Sequence, residues 1–467
     1  MAELVANIPI AVLMAVIGSL VFTLIGVVSG TDETATIAPL TLAVILLGVP
    51  PAGVFTFFLA GAISKHMTHA IPTMLLGIPG DTTAVPLLEE ADQLRALGVP
   101  HLALRKAVAG ALVSAVIAVP AAVLFAWILS PFGTLIETWA PWIFLLAAAG
   151  IAYASKAKFA GVLALIPFTA LVLGLQAWTA GSGVKLATSY FLGIAIGPMI
   201  FDLLRVLVPA NRTAMRRAEP SAVFLAPPVK AAVAQGGRRR RWASSPFALL
   251  DRRQVGAVAG TSVVSSATFV FSPVAMTVLM GELVRGRIKQ GYERLTTVLT
   301  AKNGTTESTY IAEALIPLIA FGLPLSPVAA GPAAPLFNAP PVFSTDASTG
   351  AHTNLSSFLS QPEFLVFGLL SVAVSALIAY PFVMRFSHTA ARFVVRHVSH
   401  EAIIAAFTAL VIVVSLWEGG IMGLVVTLTI GVVSGALIRA LKLHAGVLFM
   451  GYYVAVLSVP GIVKMLG

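Results

Sequence analysis

Apolar runs of about twenty residues recur along the whole chain, and a run of that length is what a helix needs to cross the hydrocarbon core of a bilayer. The runs are continuous and do not alternate with polar residues, which argues against a membrane β-barrel. Only 10% of the 467 residues are charged and 58% are hydrophobic, far from the roughly one-quarter charged content of soluble domains. The expected fold is an all-α polytopic membrane protein with about 10–12 transmembrane helices. Candidate spans are 9–28, 37–63, 103–130, 142–154, 159–178 and 187–208 in the first half. In the second half they are 255–271, 273–284, 363–384, 402–417, 420–438 and 445–463. The first run, Ile8 to Val28, follows MAELVAN with no basic stretch, and is read as an uncleaved first helix rather than a signal peptide. Cysteine is absent, which excludes disulfides, iron–sulfur ligation and a thiol nucleophile.

Net charge is +10 and concentrated: residues 209–253 hold ten Lys and Arg, with RRRR at 238–241, against Glu219 and Asp251. A nucleic-acid partner is not needed to explain this. A cytoplasmic loop obeying the positive-inside rule, in contact with anionic head groups, suffices. The loop divides the chain into a first transmembrane repeat, 1–208, and a second, 254–467.

Each half contains one segment that breaks the apolar pattern, residues 71–88 (IPTMLLGIPGDTTAVPLL) and 316–337 (IPLIAFGLPLSPVAAGPAAPLF). At a constant offset of 245, Ile71, Pro72, Gly77, Pro79 and Ala84 fall on Ile316, Pro317, Gly322, Pro324 and Ala329. Identity at IP–x4–G–x–P reads as an internal duplication. Loop charges orient the halves: Arg105 and Lys106 place one side in the cytoplasm, and 344–361, without Lys or Arg, lies outside. The repeats are therefore read as inverted, a signature of secondary transporters. Residues 282–302 resist this reading, because five basic residues there would be external or require an extra crossing.

Irregular backbone persists in a membrane only where protein or a water-filled cavity surrounds it. The two segments are accordingly expected to be re-entrant helical hairpins, with Gly77, Pro79 and Gly80 at one mid-membrane tip and Gly322, Pro324, Ser326 and Pro327 at the other. A half-helix starting near Asp81 would present free N–H groups, and Thr82 and Thr83 hydroxyls, to an anion. Asp81 itself is either an N-cap or a coupling group that titrates or binds a cation. The polar stretch AKNGTTES, residues 301–308, offers Asn303, Thr305, Thr306, Glu307 and Ser308, and is expected as an unwound substrate- or Na⁺-binding segment. Lys65, His66 and His69 precede one tip and Lys302 the other. They serve as charge partners for a dianion such as a phosphate, or else Lys65 and His66 mark a cytoplasmic helix end.

These motifs resemble the TctA family, the large membrane subunit of tripartite tricarboxylate transporters. LLGIPG at 75–80 and ALIPLIAFGLPLSP at 314–327 match its duplicated motif, LEEADQLRALG at 88–98 its charged stretch, and GVVSG at 26–30 its N-terminal glycine-rich turn. The chain departs from the family pattern at Asp81-Thr82, at Leu325 and at Lys65, His66 and His69. The resemblance implies uptake of a di- or tricarboxylate by alternating access, driven by a Na⁺ or H⁺ gradient, in a bacterial inner membrane. It also implies a small membrane subunit and an extracytoplasmic solute-binding protein as partners. The departures leave a lipid-linked phosphate, such as a polyprenyl phosphate, as the alternative substrate. No further cofactor and no metal site are expected. An enzyme is the rival class, but HExxH, GxSxG and Asp-rich prenyl-diphosphate motifs are absent. His388, His397 and His400 lie in a basic stretch and read as an interfacial face rather than a metal site.

Overall fold

The computed structural model describes residues 2–154, 157–184, 186, 188–215, 225, 246–289, 291–339, 342–343, 353–398, 400–443 and 445–466. RRRR at 238–241 and the segment 344–352 lie outside the described residues. No strand occurs among the described residues, only one isolated bridge between Ala339 and Phe343.

In chain order the helices of the first half are α1 (Ala2–Gly26), α2 (Glu33–Leu46), α3 (Pro51–Thr68), α4 (Ala70–Leu76), α5 (Leu88–Ala96), α6 (Pro100–Leu129), α7 (Gly133–Ala154), α8 (Phe159–Gly181), α9 (Thr188–Leu207) and α10 (Pro209–Met215). Those of the second half are α11 (Pro246–Leu249), α12 (Arg252–Ala267), α13 (Pro273–Arg285), α14 (Gly291–Ala320), α15 (Pro327–Ala330), α16 (Ala334–Phe337), α17 (Gln361–His397), α18 (His400–Leu441), α19 (Ala445–Tyr453) and α20 (Val459–Leu466). Seven helices among the described residues are long and apolar enough to cross a membrane: α1, α6, α8, α9, α17, α18 and the α19–α20 run. Helix α18 is two helices folded back on each other. Gly419 and Gly420 leave helical geometry, and Ser415 Oγ meets Thr427 Oγ1 at 2.7 Å across the bend.

The candidate span 37–63 is two helices. Leu47 to Pro50 separate α2 from α3, because Gly48 at φ +76° and Pro50 stop helix propagation. The chain then doubles back, so α3 runs parallel to α1. Thr56 donates to the Ala11 carbonyl, Gly18 lies on the Phe57 backbone and Gly26 on the Lys65 backbone. A Cβ at Gly18 would come within 2.4 Å of the Phe57 carbonyl oxygen, so glycine is what permits this contact. Three helices of the second half repeat the pattern. Gln254 and Ser265 of α12 bond Thr296 and Ser308 of the parallel α14, and Thr277 of the returning α13 bonds Thr306.

The two three-helix units run in opposite directions. Ser64 and Ser375 pair where α17 runs parallel to α3. His101 faces His388, and Val119 faces Gly368, where α6 runs antiparallel to α17. Lys106 and Ser114 bond Gln254 and Ser262 where α6 and α12 are parallel. These contacts also explain the basic stretch that resisted a topology. Because α12 goes in and α13 comes back, Arg285 to Arg294 return to the end that carries Arg105, Lys106, Arg252 and Arg253, and Arg253 meets Glu293 at 2.9 Å.

Helices α3 and α14 form the centre. Every residue from Ala52 to Thr68 in α3 is buried, as is every residue from Thr296 to Leu318 in α14. One large apolar core surrounds them, and a second joins α7–α9 to α18–α20.

Candidate functional site

The two proline–glycine segments turn where the sequence places glycine, but their inner tips lie elsewhere. Gly77 adopts φ +67° and Gly322 φ +64°, a left-handed conformation that suits glycine. After Gly77 the chain runs back along α4: Ile78 N donates to Pro72 O and Gly80 N to Thr73 Oγ1. The glycine-rich turn at 26–30 closes over this return, with Ser29 Oγ on Pro79 O at 2.6 Å and Gly30 N on Gly80 O at 2.8 Å. Gly77 and Pro79 are half-buried and Thr82 is exposed. Gly80 is buried against the His69 backbone, and the side chains that enter the interior network are those of Asp81 and Thr83.

No long helix starts at Asp81. The carboxylate itself takes the free N–H groups, accepting Thr83 N and Ala84 N at 3.1 Å each. It also accepts Thr83 Oγ1 at 2.8 Å, Lys65 Nζ at 2.6 Å and His69 Nδ1 at 3.0 Å. At the second tip Ser326 Oγ caps Ala329 N, and donates to the Glu313 backbone carbonyl at 2.7 Å. Val328 N donates to the Glu313 carboxylate at 3.0 Å. Both tips thus present N–H groups already held by carboxylate or hydroxyl, which corrects the expectation of open anion sites. Pro324 is buried and Pro327 half-buried beside this turn.

Lys65 and His66 do lie in the last turn of α3, but they do not face a cytoplasmic surface; both are fully enclosed. His66 bridges the halves of the molecule. Its Nε2 lies 2.6 Å from Glu33 Oε1, and its Nδ1 3.1 Å from Glu307 Oε2. Glu33 opens α2, whose N-terminus Asp32 caps, and receives Thr83 Oγ1 at 3.2 Å. Tyr310 meets His66 edge-on with ring centroids 4.5 Å apart. One buried network therefore joins α2, α3, the first tip and α14. Glu307 Oε1, Glu313 Oε1, His69 Nε2 and the Tyr310 hydroxyl are buried there with no hydrogen-bond partner.

The stretch 301–308 is not unwound. It is continuous helix within α14, and only Glu307 points into the network. Asn303 donates to Ala107 O of α6, Thr306 pairs with Thr277 of α13 and Ser308 with Ser265 of α12. Thr305 is buried without a side-chain partner. Asn303, Thr306 and Ser308 thus join helices across a membrane interior and do not line the network. Lys302 belongs to the other hairpin's exit arm: its Nζ meets Glu90 Oε2 at 2.7 Å and Pro86 O at 3.0 Å. Arg285 completes this second ionic group, bonding Glu90 and, at 3.0 Å, Glu89. The Arg285 hydrogen bond holds the Glu89 carboxyl below the usual carboxylate range.

Sequence reasoning missed Glu33, Glu90, Tyr310 and Glu313. Glu313 had a usable signal: an acid inside the apolar run YIAEALIP is costly in a membrane and implies a role. Glu33, His69 and Asp81 place metal-ligand-type atoms within 4.8 Å of one another. A cation there would have to displace the Lys65 ammonium, which already holds Asp81 Oδ2.

The comparison with protein families carries this geometry to an identity. Residues 12–449 match the family model described as tripartite tricarboxylate transporter TctA family. No curated protein and no solved structure matches the chain. With nearly its whole length covered by that match, the chain belongs to the tripartite tricarboxylate transporter TctA family, the membrane component of a transporter.

Proposed function

We propose that this chain couples a Na⁺ or H⁺ gradient to the uptake of a di- or tricarboxylate by alternating access. Its partners in this reading are a small membrane subunit and an extracytoplasmic solute-binding protein, in a bacterial inner membrane. The observation that carries the proposal is the charge balance of the buried network. Four carboxylates, Glu33, Asp81, Glu307 and Glu313, lie in or beside it. Facing them are Lys65 and the imidazoles of His66 and His69.

Even with both imidazoles charged, the acids are in excess. A buried charge without a partner is expensive. The excess is relieved by a proton or a bound cation, and the groups with free acceptor capacity are Glu307 Oε1 and Glu313 Oε1. Asp81, with all its donors in place, serves as the ion-paired cap of the first tip. A substrate carboxylate competes with Glu33 or Asp81 for His66 and Lys65, so substrate and coupling ion act on one charge balance. The opposed directions of the two three-helix units support this reading, because inverted elements are a feature of alternating-access transporters.

The test is uptake in proteoliposomes containing the chain with its partner subunits, under an imposed pH or Na⁺ gradient. Citrate-class acids are expected to accumulate only with one of the gradients. Accumulation indifferent to both gradients would refute the coupling. Transbilayer movement of a polyprenyl phosphate, with no acid uptake, would refute the substrate class.

A further inference from the structure

Away from the buried network, α12, α13 and the first turns of α14 enclose an outward-opening groove of about 760 Å³. One side is apolar: Val264, Met280, Leu283 and Val284 line it, with Gly256 and Gly260 on the same face of α12. A Cβ at either glycine would meet no atom within 4 Å, so these glycines are not there for close helix packing. They keep a slot open. At one end the groove is crowned by Arg253, Arg287 and Lys289, with Glu293 the single acid among its described lining residues. Glu293 is taken by Arg253. Among the described residues neither Arg287 nor Lys289 forms a salt bridge, and both are exposed.

The groove runs from Arg253 to Val264 along α12, about 16 Å at the rise of a helix, which is close to the depth of one leaflet. Its basic crown stands at the end that also carries Arg105, Lys106 and Arg252, the end assigned to the cytoplasm by the positive-inside rule. Anionic lipids face the protein on that side. The geometry points to a binding site for an anionic phospholipid of the cytoplasmic leaflet, with its phosphate on Arg287 and Lys289 and one acyl chain along Gly256 and Gly260. Charge complementarity favours a lipid over a partner's transmembrane helix, which would need an acidic end at that level. The site is distinct from the transport network and does not depend on what the network carries.

Photoactivatable phosphatidylglycerol and phosphatidylcholine, each incorporated into nanodiscs with the full-length protein, would locate the lipid by peptide mapping. Crosslinks on α12 and α13 are expected to favour phosphatidylglycerol by at least about fivefold. Arg287→Gln with Lys289→Gln should bring the ratio to about one. Gly256→Leu with Gly260→Leu should remove crosslinks of both lipids from these helices. Size-exclusion elution and circular dichroism of each variant confirm that it is folded. Equal labelling by the two lipids in the wild-type protein, or a charge variant that keeps its preference, would overturn the assignment. Loss of the crosslinks when the small membrane subunit is added would assign the groove to that subunit instead.

Discussion

The two hairpins share a sequence motif and a backbone turn, but they handle buried charge in opposite ways. In the first, the inner tip carries the acid, and the long helix and its C-terminal cap supply its partners: Asp81 meets the Lys65 ammonium and the His69 imidazole. In the second, the corresponding tip residue is the neutral Ser326, and the long helix supplies the acid, Glu313, which receives only a backbone N–H. The exit arms differ in the same sense. Glu90 after the first tip is locked to Lys302 and Arg285, whereas Asn354 after the second bonds the Gly322 carbonyl through its amide. Two segments with the same motif thus form one ionically fixed hairpin and one held by neutral hydrogen bonds, with Glu313 left partly unsatisfied. The fixed hairpin suits a scaffold. The other suits a group whose charge changes during a cycle.

The largest expected effect tests the fixed side. Asp81→Ala strands a buried ammonium and should cost about 3–5 kcal/mol, read as a lowered thermal midpoint in detergent; Ser326→Ala should cost about 1 kcal/mol. Equal losses would abolish the contrast between the tips. Next come the exit arms. Lys302→Met leaves Glu90 with Arg285 alone, and a loss of about 2–4 kcal/mol is expected, against about 1 kcal/mol for Asn354→Ala.

Glu313→Gln sharpens the comparison differently. Its carbonyl can still accept Val328 N, so stability should change by less than about 1 kcal/mol. Gradient-driven uptake should nevertheless fall at least about tenfold, and what remains should lose its pH or Na⁺ dependence. Unchanged coupling would move the role to Glu307. Gly77→Ala and Gly322→Ala should each cost at least about 1–2 kcal/mol, since both turns are left-handed and a Cβ would also meet the Arg95 guanidinium at the first and the Asn354 amide at the second; a large difference would show that the turns are not equivalent.

The smallest effect is on pH. Glu89 has a lowered pKa, so its bond to Arg285 contributes stability above the unfolded carboxylate range and loses it as pH falls through the lower folded value. Glu89→Gln should lower the thermal midpoint slightly at neutral pH and leave the most acidic values unchanged, so that the acid limb becomes flatter.

Much of this architecture was legible before any coordinates. The apolar runs gave an all-helical membrane protein, the 245-residue offset paired Gly77 with Gly322, and the glycines between prolines marked the turns. The site was only half legible. Lys65, His66, His69, Asp81 and Glu307 do gather, but Asn303, Thr306 and Ser308 face neighbouring helices. A stretch of small polar residues looks the same in sequence whether it lines a site or joins helices. Lys302 precedes the second tip in sequence and serves the first hairpin in space.

Chain chemistry marked the turns at Gly77 and Gly322, because glycine tolerates left-handed backbone, although prolines such as Pro120, Pro317 and Pro381 sit inside continuous helices. It also dictated that any acid or base placed among those helices would need a partner, because the surroundings have no water to offer. Which partner each one found was decided by tertiary structure. Glu33, thirty-three residues before His66, and Glu307, far beyond it, meet on the two nitrogens of one ring. Such pairings depend on the directions and offsets of helices packed across the whole chain, and no local pattern encodes them.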